Sequence, residues 1–152
     1  MKVDFVEVHL IVSEKIVLNY DVDSDDFTRA GEASSKVKRK LKLMGVDPDV
    51  VRRVAISLYE GEINMVIHAD GGTIQVIIFP DKIEMTLRDR GPGIEDIELA
   101  MRAGYTTAPD NIRSLGFGAG MGLPNMKRYA DDLKIESKVG IGTTVKMRVD
   151  IP

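Results

Sequence analysis

The chain has 152 residues, 43% of them apolar and 30% charged, enough for one domain with a real core. Its net charge of −3 and pI near 5.4 lack the basic excess of nucleic-acid binders. With no cysteine it has no disulfide, thiolate metal site or cysteine nucleophile, and runs such as Val76 to Phe79 are too short to span a bilayer.

At the N-terminus, Val3, Phe5 and Val6 alternate with Asp4 and Glu7, unlike a signal or transit peptide. A cytoplasmic protein without membrane association is expected. Residues 3–12 and 15–22 read as two strands around a turn at Ser13, Glu14 and Lys15. Ser24, Asp25 and Asp26 offer N-cap chemistry for a helix running to about residue 44, where Gly45 ends it. Its run from Lys36 to Lys42 is a basic face around Val37 and Leu41, either solvated or a docking surface for an acidic partner.

Asp47 and Pro48 form a second helix start, a capping carboxylate followed by proline at the first helical position. Val51, Val54, Ala55 and Leu58 then recur with helical spacing, and the helix is expected to reach Ala69 before Asp70, Gly71 and Gly72. Strands follow at about 73–79 and 82–88, then a tight loop from Asp89 to Gly93 and a short helix over about 94–103. Residues 104–121 carry little periodicity, and a stretch of that length is more often functional than inert. A helix over about 122–131 and strands at about 132–138 and 143–150 complete a single domain, 1–152. The order predicts an α/β (α+β) two-layer sandwich with helices on one face of a mixed sheet.

Four groups of residues carry chemistry. Glu60, Asn64 and His68 are four apart on the long helix and share one face. An amide oxygen with a carboxylate one turn away suits Mg²⁺, Glu60 alternatively suits a general base, and an ordinary polar face is the plain reading. Asp89 with Gly91 and Gly93 places a hydrogen-bond acceptor beside a turn that a flat ring can approach, or is simply a turn. Gly118, Gly120 and Gly122 lead into a helix and can aim amides at an anion, with Arg113 nearby as counter-charge, or are simply a surface loop. Gly140, Gly142, Thr143 and Thr144 form a glycine turn into the last strand. No P-loop, Rossmann or eukaryotic kinase signature is present.

In this order the motifs E-x-x-x-N, D-x-G-x-G, G-x-G-x-G and G-T-T resemble the N, G1, G2 and G3 boxes of the GHKL (Bergerat) ATPase/kinase superfamily, over roughly residues 22 to 150. The resemblance implies ATP and Mg²⁺ as cofactors. It makes Asn64 the Mg²⁺ ligand, Glu60 the catalytic base and Asp89 the acceptor of the adenine amino group. Gly91 and Gly93 would shape the adenine pocket, with His68 among the nucleotide-binding positions and Thr143 as a buttress. Gly118, Ala119, Gly120, Met121, Gly122 and Leu123 would wrap the phosphates at the end of a lid.

Neither His9 nor His68 suits a phosphoacceptor, so a sensor histidine kinase is not indicated. Residues 105–114, with Thr106, Thr107 and Arg113, resemble the lid of the anti-sigma factor kinases of sporulation and stress. GPGIEDI from Gly91 and GAGMGLPNMKR from Gly118 are similar to the stressosome switch kinase. The implied function is ATP-dependent phosphorylation of a serine or threonine on a small STAS-domain partner. The alternative is a nucleotide-gated module that sequesters a sigma factor without phosphotransfer; a homodimer fits either. Gly61 and Glu62 depart from expectation, standing where helix-favouring or apolar residues belong.

Overall fold

The computed structural model describes residues 15–23, 27–69, 71–102 and 121–152. The strands are β1 (Ile16–Val22), β2 (Gly72–Ile78), β3 (Lys82–Asp89), β4 (Asp132–Lys138) and β5 (Gly142–Asp150). The helices are α1 (Glu32–Leu43), α2 (Pro48–His68), the single turn α3 (Ile97–Ala100) and α4 (Gly122–Tyr129), with a 3₁₀ turn at Phe27–Arg29. The expected strand over 3–12 and the turn residues Ser13 and Glu14 lie outside the described residues.

The sheet has the order β1-β2-β3-β5-β4. Every pairing among the described residues is antiparallel, so within them the α/β sandwich is built on an antiparallel sheet. Strands that follow one another in pairs can close as hairpins, which need no parallel crossover. Period-2 alternation sends Ile74, Val76 and Ile78 of β2, Ile83, Met85 and Leu87 of β3, and Met147 and Val149 of β5 to the buried face. The register stacks them in rows, Ile74 beside Leu87 and Met85 between Val76 and Met147. The intervening residues, including Glu84, Arg88 and Lys146, are not buried.

Over the buried rows lies α2, flanked by α1 and α4 and packed on β1, β3 and β5. Asp47 caps it by accepting from the Asp49 amide at 2.9 Å, with Pro48 in the first turn. Its buried positions run Val50, Val51, Val54, Ser57, Leu58, Gly61, Glu62, Ile63, Met65 and Val66. Gly61 and Glu62 thus fall on the buried stripe, and both have a reason to be there. A Cβ on Gly61 would run into Leu87 Cδ2, so glycine lets the helix settle onto β3.

Glu62 is only 2% exposed and serves another helix. Its Oε2 accepts from the Gly31 amide at 3.0 Å and the Ala33 amide at 3.2 Å, and its Oε1 accepts from the Ser34 amide at 2.9 Å. These are the otherwise unpaired first amides of α1, whose own N-cap, Gly31, has φ 91° and no side-chain bond to give. The carboxylate also meets the positive end of the α1 dipole. The expected helix start just after Ser24, Asp25 and Asp26 is therefore moved to Glu32; those three residues are outside the described ones. Exposed Glu32 is held down to about 2 by hydrogen bonds from Arg29 and Lys36, a pairing that solvent screening leaves weak.

Glu62→Ala is expected to lower the unfolding free energy by about 3 kcal/mol, because two buried amides and one part-buried amide lose a charged acceptor. Urea unfolding should show a lower midpoint, with Glu62→Gln losing less because one acceptor oxygen remains. An unchanged midpoint for Glu62→Ala would contradict the capping role.

Candidate functional site

Two clusters of polar side chains face the helical layer, one along α2 and one at the end of the sheet beside the α2 C-terminus. The sheet cluster follows from register. Asp89 pairs with Gly72 across β2 and β3, and Ser137 pairs with Thr143 across β4 and β5. One step beyond the Arg88–Thr144 pair, Asp89 meets Thr143, so a single row crosses four strands. Asp89 Oδ1 accepts from the Gly91 amide at 2.9 Å and from the Thr143 amide at 3.0 Å. Both of these bonds are made by Oδ1, and among the described residues none is made by Oδ2.

The loop after Asp89 is fixed from the opposite hairpin. The Ile94 amide donates to Ser137 Oγ at 2.7 Å, Ser137 Oγ shares a 2.8 Å hydrogen bond with Thr143 Oγ1, and the Gly140 amide donates to Pro92 O at 2.9 Å. Thr143 is 7% exposed. Gly93, at φ 81°, lies so close to Lys138 O that a Cβ would be 2.6 Å from it. Gly91 abuts the end of α2, where a Cβ would be 2.9 Å from Ala69. Ser137 was missed from the sequence; its only signal is its place three residues before the Gly140 turn, which becomes informative once β4 and β5 are in register.

Along α2, Glu60 and Asn64 turn toward α4. Asn125 Nδ2 donates to Glu60 Oε1 at 3.1 Å, and a Cβ on Gly122 would lie 2.8 Å from Asn64 Nδ2 and 3.0 Å from its Oδ1. Further along, Arg53 Nε donates to Tyr129 O at 2.9 Å while its other arm pairs with Asp131 at 2.8 Å. The contacts 53 to 129, 60 to 125 and 64 to 122 run α4 antiparallel to α2. His68, two turns beyond Glu60, brings the helix to the Asp89 loop. Burial holds its imidazole below the ordinary histidine value, and the Asp89 carboxylate pulls it partly back.

Of the remaining expected residues, Met121 is exposed just before α4, and Leu123 is buried in the core, so only its backbone can face a ligand. Thr106, Thr107, Arg113, Gly118, Ala119 and Gly120 lie outside the described residues, as does most of the expected lid, 104–121. Short helix α3 is confined to Ile97–Ala100, where Asp96 caps it by accepting from the Leu99 amide, rather than filling 94–103.

The donor types suit a nucleotide and its metal. Asn64 and Glu60 offer oxygen atoms of the kind Mg²⁺ takes, and Asp89 presents an oriented carboxylate oxygen. From Glu60 to His68 is about 12 Å of helix axis at 1.5 Å per residue, the scale of a nucleoside triphosphate.

In a proton NMR titration His68 is expected to titrate below 6.5, its ordinary value, and lower still in Asp89→Asn, which removes the charge favouring imidazolium. The depressed value means His68 contributes stability above the unfolded-state value, and that contribution is lost as pH falls through the folded one. A titration indifferent to Asp89→Asn would contradict the coupling.

Residues 58–152 match the family described as "Histidine kinase-, DNA gyrase B-, and HSP90-like ATPase". An anti-sigma F factor from Caldanaerobacter subterraneus subsp. tengcongensis is 36% identical over 99 residues, which is 65% of this chain and 62% of that protein, less than two thirds of the relative's length. One from Clostridium acetobutylicum is 32% identical over 131 residues, 83% of this chain and 85% of its own. The solved RsbU and RsbW domains of Rv1364c from Mycobacterium tuberculosis share the fold, with a TM-score of 0.62 at 14% identity over 90% of this chain and 32% of that one. The family match takes in Glu60, Asn64, Asp89, Gly122 and Thr143, and the chain belongs to the histidine kinase-, DNA gyrase B- and HSP90-like ATPases.

Proposed function

We propose that the chain is an ATP-binding serine/threonine protein kinase of the anti-sigma regulatory type, passing the γ-phosphoryl group to a small STAS-domain partner. The observation that carries this reading is the placement of Glu60 and Asn64 together on α2 against the start of α4, with Asp89 fixed by two amides at the far end of the same helix. Relatives named anti-sigma F factor support the regulatory setting.

Asp89 Oδ2 accepts a hydrogen bond from the adenine amino group, while the Gly91 and Thr143 amides hold Oδ1 and prevent the carboxylate from turning away. Asn64 would supply an amide oxygen to Mg²⁺, and Thr106, Thr107, Arg113, Gly118, Ala119 and Gly120 are proposed as further nucleotide-binding positions. Bound Mg²⁺ supplies charge neutralisation on the phosphate oxygens, as in other phosphoryl transfers. Glu60 takes the proton of the attacking hydroxyl, and the protein contributes positioning rather than covalent chemistry. A second reading, favoured by the same relatives' names, is a nucleotide-gated module that sequesters a sigma factor without phosphotransfer.

Incubation with labelled Mg-ATP and purified STAS-domain proteins is expected to yield a labelled serine or threonine, with Glu60→Gln slower by about 100-fold or more. Stable complexes with a sigma factor and no labelled product would favour the second reading.

A further inference from the structure

We infer that Asn125 is a positioning residue for Glu60: its side-chain amide fixes one carboxylate oxygen so that the other is aimed at the acceptor hydroxyl. This rests on the assignment of Glu60 as the base. Among the described residues Asn125 is the side chain bonded to Glu60, through Nδ2 to Oε1 at 3.1 Å. A carboxylate at the end of two methylene groups otherwise samples several rotamers, and a base must lie within hydrogen-bond reach of the proton it removes. A neutral donor restrains the group without competing for the proton, whereas a lysine or arginine there would hold the carboxylate as a salt bridge and weaken it as a base.

Docking of α4 does not depend on this bond. Leu123 and Met126 are buried on one side of the helix, Gly122 fits against Asn64 at its start, and the Arg53 guanidinium holds Tyr129 O at its end. Asn125 is only partly buried, so a purely packing role has little to act on. The bond joins Glu60 to the helix that follows the expected lid, so a displacement of α4 changes the aim of the base.

The test measures single-turnover hydrolysis of Mg-ATP, with water as acceptor, in the wild type, Asn125→Leu, Asn125→Asp, Glu60→Gln and Glu60→Gln/Asn125→Leu. Asn125→Leu keeps the branched side-chain outline and the number of heavy atoms while removing the donor, and Asn125→Asp keeps its shape while replacing the donor with a like charge. Both are expected to bind Mg-ATP as the wild type does and to unfold at a similar urea concentration. Their rate constants are expected to fall about tenfold, part of the 10²–10⁴-fold a general base contributes. In the Glu60→Gln background Asn125→Leu should cost nothing more, because the two residues act as one unit. Wild-type turnover in folded Asn125→Leu and Asn125→Asp, alongside an impaired Glu60→Gln, overturns the positioning role alone, as does an additive loss in the double variant. A wild-type rate in Glu60→Gln, or nucleotide binding with neither hydrolysis nor labelled transfer to a STAS-domain protein in the wild type, overturns the base assignment and the role of Asn125 with it.

Discussion

Glu62 places a carboxylate inside a helix–helix interface, where a lone charge would be costly to desolvate. Three amides of α1 compensate it, and the same bonds give α1 the cap that its own sequence lacks. One residue earlier, the missing side chain of Gly61 lets α2 rest on Leu87 of β3. The two neighbours therefore fix α2 in two directions, against α1 and against the sheet. Glu60, Asn64 and His68 ride on that helix, so their positions relative to Asp89 depend on a glycine and an acid that a generic amphipathic helix would not contain.

Most of the architecture was legible because the signals were local. Asp47 and Pro48 announced the start of α2, and alternation marked β2, β3, β4 and β5 to within about a residue. The beginning of α1 was not legible, because its cap comes from a residue about thirty positions later, while Ser24, Asp25 and Asp26 supplied a plausible local one. Strand direction was not legible either, since alternation carries no information about neighbours. Ser137 and Asn125 escaped for the same reason: one acquires its role through the β4–β5 register and the other through the antiparallel approach of α4 to α2. Gly61 and Glu62 did stand out as departures from helix-like sequence, but their meaning needed the partners they touch.

At the site, the sheet contributes rigidity and the helix contributes reach. Asp89, Thr143 and Ser137 belong to one row of paired strands, tied to the following loop through Ile94 and Pro92, so the Asp89 carboxylate is oriented before any ligand arrives. Such preorganisation reduces the ordering cost of binding. Leu123 illustrates the opposite division of labour within a motif: its side chain anchors α4 in the core while its neighbour Gly122 approaches Asn64. The family match spans both clusters, and the proposed function makes them two ends of one nucleotide site.

Calorimetric titration of Mg-ATP into the wild type and into Asp89→Asn decides whether Asp89 anchors an adenine nucleotide. Binding to the wild type is expected to weaken by about 1–3 kcal/mol in the variant, the cost of losing a hydrogen bond to a charged acceptor. A folded wild-type protein that takes up no nucleotide, or an Asp89→Asn protein that binds it equally well, would contradict the account.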